Sequence, residues 1–151
     1  MRTVFFFLLA SILLLSGCAD APPPPQPSAT PQPTFKPVGT NLQLMQAIVI
    51  PAADIVWAVG AAAPKNDEEW TRVRNNALLL AEAGNLLMIG DRAKDQDGWM
   101  KASQVLVDSG AAAFKAAEAK NVEGVMMAGD EIYNACEGCH MKYPPQTPPA
   151  Q

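Results

Sequence analysis

The sequence predicts an all-α domain, an antiparallel four-helix bundle of up-down-up-down order, and three observations carry that reading. Ala, Leu, Met, Glu and Lys recur, while β-branched residues are sparse and aromatics make up only 7% of the chain, a composition of packed helices rather than sheets. From residue 38 onward, four stretches repeat apolar residues at three-four spacing, each bounded by helix start and stop signals. Each stretch is about 20 residues and the connections are short, so each ~30 Å rod buries its stripe only against antiparallel neighbours.

The first helix is expected over about residues 40–60, with Leu42, Met45, Val49, Ala52 and Val56 on one stripe and Leu44, Ile48, Ile55 and Val59 beside it. Pro51 removes the donor that would bond the carbonyl of Ala47, which predicts a kink without ending the helix. Gly60 and Pro64 stop it. Asn66, with Glu69 three residues later, starts the second helix in the manner of a capping box, and Trp70, Val73, Ala77, Leu80, Gly84 and Leu87 form its stripe up to about Gly90. The third runs from about Gly98 to Lys120, with Met100, Val107, Gly110, Phe114 and Ala117 expected inward and many alanines permitting close approach. Asn121 caps the fourth, which carries Val122, Val125, Gly129, Ile132, Tyr133, Cys136, Cys139 and His140 and must end by Pro144 and Pro145.

The flanks differ in composition. Residues 4–15 (VFFFLLASILLL) are an unbroken apolar run behind Met1 and Arg2, too short for a stable membrane span and of the form of a secretory signal peptide over residues 1–17. Leu15-Ser16-Gly17-Cys18 resembles the bacterial lipobox, which implies acylation of Cys18 and a membrane-anchored, periplasmic lipoprotein. The other reading is a plain signal peptide cut nearby, with Cys18 left as a free thiol. Residues 18–37 form a linker in which eight prolines lie between Pro22 and Pro37, an extended tether reaching at most about 50 Å at ~3.1 Å per residue. The bundle is assigned to residues 38–145, and residues 146–151 to a flexible tail.

Charge and motifs narrow the function. With 11 Lys+Arg against 15 Asp+Glu, a formal net charge of -4 leaves no basic stripe for phosphates, which excludes nucleic-acid binding as the main role. No glycine-rich phosphate loop, nucleophile triad or internal repeat is visible. The informative segment is Cys136-Glu137-Gly138-Cys139-His140, a CxxCH motif in a chain with no other histidine and an export signal. CxxCH is the attachment motif of c-type haem. On a helix, Cys136, Cys139 and His140 share one face, so two thiols reach the haem vinyl groups while the adjacent imidazole reaches the iron. Structural zinc wants four ligands and finds at most three here. A thioredoxin-like pair sits at a helix N-terminus after a strand, whereas this one ends a helix. A disulfide across the pair leaves His140 unexplained.

The run CEGCHMKY at the end of the fourth helix resembles the class II c-type cytochromes, the cytochrome c prime family, whose four-helix bundles carry CxxCHxxY near the C-terminus. Cys136, Cys139, His140 and Tyr143 match that pattern, and the likeness extends over roughly residues 40–143. The resemblance implies one covalent haem c near the C-terminal end of the bundle, with His140 as proximal iron ligand. Many members carry Arg soon after the tyrosine, whereas this chain has Pro144; Lys142, nearby, is expected to be solvated. A homodimer through the first two helices is also implied by resemblance.

With His140 the only histidine, the distal iron position is methionine, another weak ligand, or open. In this topology the starts of helices one and three and the ends of two and four share one end of the bundle, which places Met45, Met88 and Met100 near the haem level. Met126 and Met127 lie on the haem-bearing helix itself, and Met141 neighbours the proximal ligand. The family takes its distal group from the first helix, so Met45 is the ligand under a low-spin reading, and Leu42 the apolar cover under a high-spin one. Tyr133 is expected to pack against the porphyrin, and Trp57, Trp70 and Trp99 to serve as core or haem-edge packing. A His/Met iron suits electron transfer between periplasmic or membrane redox partners. An open iron suits binding of NO or CO, for scavenging or sensing. A third reading, a haem-free envelope interaction lipoprotein, predicts no covalent pigment. None of the three is an enzyme.

Overall fold

The computed structural model describes residues 35–145, and among them every regular element is helical, with no strand. The expected signal peptide, Cys18, nearly all of the expected linker and the tail at 146–151 lie outside the described residues. We number the helices α1 (Asn41–Gly60), α2 (Asp67–Leu87), α3 (Gly98–Glu118) and α4 (Val122–Lys142).

Local chemistry sets the helix starts. Thr40 begins α1 with a reciprocal capping box, its hydroxyl accepting from Gln43 N–H while the Gln43 side chain accepts from Thr40 N–H. Asn66 and Asn121 accept from Glu69 N–H and Gly124 N–H and so begin α2 and α4. At α3 the N-cap Asp97 offers no side-chain bond. The acceptor comes instead from Asp95, whose Oδ1 takes the N–H groups of Asp97 and Trp99 at 3.0 and 2.9 Å.

Pro51 does not break α1. Its effect is absorbed one turn earlier, where Met45–Val49 widens into a π-helical turn and Ile50 N–H bonds the carbonyl of Met45. The α geometry resumes through Trp57 and tightens to a 3₁₀ turn at Ala58–Gly60. By length and composition α1 could cross a membrane. In this fold it supplies Leu44, Val49, Ala52, Ala53, Val56 and Val59 to the core.

The contacts between α2 and α3 run antiparallel, Gly84 meeting Ser103 and Val107 while Ala81 meets Gly110. A Cβ at Gly84 would lie 2.8 Å from the Ser103 carbonyl oxygen, and one at Gly110 would lie 2.6 Å from the Ala81 nitrogen. Only glycine lets these backbones approach so closely. The α3–α4 contacts are also antiparallel, with Ala116 beside Gly124 at one end and the segment before α3 beside Tyr143 at the other. At that second end Asn41 Nδ2 donates to Arg92 O, and Trp99 Nε1 donates to Leu87 O. The starts of α1 and α3 thus meet the ends of α2 and α4, an arrangement compatible with a helical bundle.

The α2 stripe is buried as expected: Trp70, Val73, Ala77, Leu80, Gly84 and Leu87 all face the core. On α3 Gly110 and Ala117 are buried as expected and Trp99, Ser103, Leu106 and Ala113 complete the buried line, while Met100, Val107 and Phe114 are half-buried at its flank. The Ala-rich sequence gives little apolar contrast between these faces. Gly110 belongs to both, and its close approach to Ala81 turns it towards α2.

Alanine at Gly110 should destabilise the fold by about 1–3 kcal/mol, because the added methyl meets backbone that cannot yield. A methyl added at Gly138 would have nothing within 4 Å, so alanine there should stabilise by about 1 kcal/mol through helix propensity. Urea unfolding of the two variants against the native chain checks both signs.

Candidate functional site

A cleft of about 330 Å³ opens where α1 faces α3 and the last turns of α4. From α1 come Met45, Val49, Ile50, Ala53 and Trp57; from α2 comes Leu87; from α3 come Ala102, Ser103 and Leu106. From α4 come Tyr133, Ala135, Cys136, Glu137, Cys139 and His140. The lining is mostly hydrocarbon. Apart from the two thiols, polar side chains enter it only at Trp57, Ser103, Tyr133, Glu137 and His140.

The helical period explains the α4 wall. Above this level the stripe Val125, Ala128, Gly129 and Ile132 is buried in the core. Continued by one turn, the same stripe becomes Cys136 and Cys139, which are half-buried where they line the cleft. His140 stands beside Cys139 at the rim and is exposed. Both cysteines are free thiols. Loss of hydration pushes both above the ordinary thiol value, and Cys139 adds to the shift at Cys136. Such thiols stay protonated at neutral pH, unlike the activated thiolate of a redox-exchange pair at a helix N-terminus.

Of the residues singled out in the sequence, Cys136, Cys139, His140, Tyr133 and Met45 meet in this one cleft. Leu42 is half-buried and does not line it. Met88 and Met100 are half-buried outside it, and Met126, Met127 and Met141 are exposed. Tyr133 is 55% exposed and meets the Trp57 ring edge-on at 6.2 Å between centroids. Trp57 is fixed by its Nε1–H, which donates to Gly129 O at 3.0 Å. Trp70 and Trp99 are core.

Tyr143 lies away from the cleft. Its ring packs edge-on against Trp99 at 5.1 Å, and its hydroxyl donates to Asp95 Oδ2. Lys142 reaches the same carboxylate at 3.7 Å and remains 57% exposed. Asp95 therefore joins the start of α3 to the end of α4, three residues beyond His140. Sequence reasoning does not find it, because a carboxylate in a loop pairs with a tyrosine 48 residues later only once the fold is known. The sole local signal is an acidic side chain just ahead of a helix with no capping bond of its own.

Hydrogen bonds from Tyr143 and from Trp99 N–H hold the Asp95 carboxyl down at about 2. Loss of hydration and the bond it gives Asp95 push the Tyr143 phenol up. Among the described residues, no three His, Cys, Asp or Glu side chains converge as a cage for a bare metal ion. The donor set at the cleft is two adjacent thiols, one imidazole and one thioether in an apolar surround. Compared with protein-family models, with curated proteins and with solved structures, the chain matches none.

The Asp95 clasp has a defined pH window. A carboxyl depressed to about 2 in the fold, against ~3.9 unfolded, contributes stability that is complete above the unfolded value and lost as pH falls through the folded one. Thermal melts of the native chain and of Asp95→Asn should therefore differ most near neutrality and converge as the pH drops from ~5 towards 2. A gap independent of pH would show that the carboxylate charge contributes nothing.

Proposed function

We propose that this chain is an exported electron carrier of the class II c-type cytochrome kind, holding one covalent haem c in the cleft. The observation that carries the reading is the convergence of Cys136, Cys139 and His140 from α4 with Met45 from α1 around one apolar space. The residues fit the group. A macrocycle needs hydrocarbon walls, two neighbouring thiols for its vinyl groups, and an imidazole within reach of its centre. The haem iron supplies one-electron redox chemistry when bound.

The chain's own side chains then have separate tasks. Cys136 and Cys139 would hold the group covalently, each adding its S–H across a vinyl double bond with the hydrogen going to the neighbouring carbon and no net oxidation. High thiol pKa values keep Cys136 and Cys139 as the S–H form that this addition consumes. His140 would hold the iron through an imidazole nitrogen directly beside the tether at Cys139. Met45 would hold the iron through its sulfur, and the placement of Leu42 outside the lining favours this over an apolar cover. Val49, Ala53, Leu87 and Leu106 exclude water, which together with a thioether ligand raises the potential.

The same reading takes the lipobox at its word: Cys18 anchors the chain to a membrane, and the proline-rich linker lets the bundle reach redox partners in the periplasm or the membrane. The antiparallel four-helix order with the haem at the C-terminal end completes it.

The test is an absorption spectrum of the chain expressed with haem-maturation machinery in a periplasm, taken in both oxidation states and with CO on the reduced form. Pigment that survives denaturation and a low-spin reduced spectrum unmoved by CO are expected. Met45→Ala should then convert the spectrum to high-spin and admit CO, and His140→Ala should abolish the native spectrum while the thioethers remain. Absence of covalent pigment would overturn the cytochrome reading. A native chain that is high-spin and shifts with CO would assign the cleft to gas binding instead.

A further inference from the structure

The π-helical turn in α1 lies directly at Met45, and its position follows from the chain on either side. The N-terminal end of α1 is anchored by Asn41 Nδ2, which donates to Arg92 O, and by burial of Leu44. The C-terminal end is anchored by Val56, Val59 and the Trp57 bond to Gly129. Between these anchors the turn Met45–Val49 accommodates one residue more than an α-helix would.

That extra residue decides which side chain enters the cleft. Ile50 N–H bonds the carbonyl of Met45, five residues back. In an α register it would bond Gln46, and every residue before the turn would move on by one place, a rotation of about 100°. Gln46, exposed here, would then stand where Met45 stands, and Met45 would take the buried place of Leu44. The wide turn exchanges an amide for a thioether at the cleft wall.

Pro51 is the residue that holds this register. It has no N–H to bond the Ala47 carbonyl, and in a regular helix its ring would press on that same carbonyl. The wide turn immediately before it relieves both. We propose that Pro51 is a positioning residue: through the π turn at Met45–Val49 it turns Met45 rather than Gln46 into the haem cleft. This rests on the assignment of Met45 as distal ligand.

Two variants of the full chain test it, Pro51→Ala and the same substitution combined with deletion of Gln46. The substitution restores the missing donor, and the deletion removes the surplus residue so that Met45 returns to its place in an α register. Before haem attachment, peroxide oxidation of Met45 followed by mass spectrometry reads the burial of that side chain. Pro51→Ala should slow it several-fold, and the added deletion should restore the native rate. An unchanged rate in Pro51→Ala overturns the register proposal, whatever the haem does. In the loaded protein, Pro51→Ala should lower the reduction potential and make the reduced spectrum sensitive to CO, with the deletion reversing both. A Pro51→Ala protein with native spectrum and potential overturns the proposal. A native protein that already binds CO overturns the ligation reading beneath it, and the oxidation rates still decide the register.

Discussion

The cleft depends on an inequality of packing: α3 lies against α2 and against α4 more closely than α1 lies against either of them. The cause is side-chain size. Gly84 and Gly110 let α2 and α3 touch backbone to backbone, and Ala113 and Ala117 continue a slender buried line along α3. The α1 face carries Met45, Ile50 and Trp57, which are too large to allow the same approach. Three helices therefore form a tight slab, and the fourth stands off it at the end where α4 presents Cys136 and Cys139. A cavity bounded in this way is not a packing defect, because its walls are fixed by contacts elsewhere in the core.

That origin explains the chemistry of the cleft. Slab and α1 both present hydrocarbon, so any thiol reaching the space loses hydration and holds its proton. The pair also lies in the last turns of its helix, where the negative end of the dipole works against a thiolate. A site for disulfide exchange needs the opposite environment, and a zinc site needs a closed shell of ligands. An apolar flat ligand with reactive side groups needs what is present: mostly hydrocarbon walls, two protonated thiols one helical turn apart, and a nitrogen at the rim. The Asp95 clasp then matters through position. It ties the end of α4 to the start of α3, so the turn bearing His140 is fixed at both ends instead of fraying as helix ends do.

What is legible in the sequence is whatever the chain encodes locally. Asn66 and Asn121 start helices where the sequence puts them, because an N-cap bond spans only three residues. The spacing of Cys136, Cys139 and His140 is likewise a property of one helix face, so their meeting in the cleft needs no knowledge of the other helices. Features that depend on register between helices are not legible. On α3 Gly110 and Ala117 are buried where expected, but Trp99, Leu106 and Ala113 are buried in place of Met100, Val107 and Phe114, because its alanines leave neighbouring faces nearly equivalent. The CxxCHxxY pattern groups Tyr143 with Cys136, Cys139 and His140, and the fold sets its ring against Trp99 and its hydroxyl on Asp95. Pro51 by itself implies a kink; what the chain forms is a wider turn that lies ahead of the proline.

The division of tasks between helices gives the reading its asymmetry. Everything that would tether the cofactor comes from one continuous segment of α4, whose geometry is held by its own hydrogen bonds and by the clasp behind it. Everything that would decide between a saturated and an open iron comes from α1, the helix least tightly bound to the rest. A chain with a single histidine cannot draw a second imidazole from elsewhere, and its remaining methionines among the described residues lie outside the cleft. In the proposed cytochrome, the choice between carrying electrons and binding a small gas is therefore set by one turn of α1. The same slab and the same tether serve either purpose, and the register of that turn selects which.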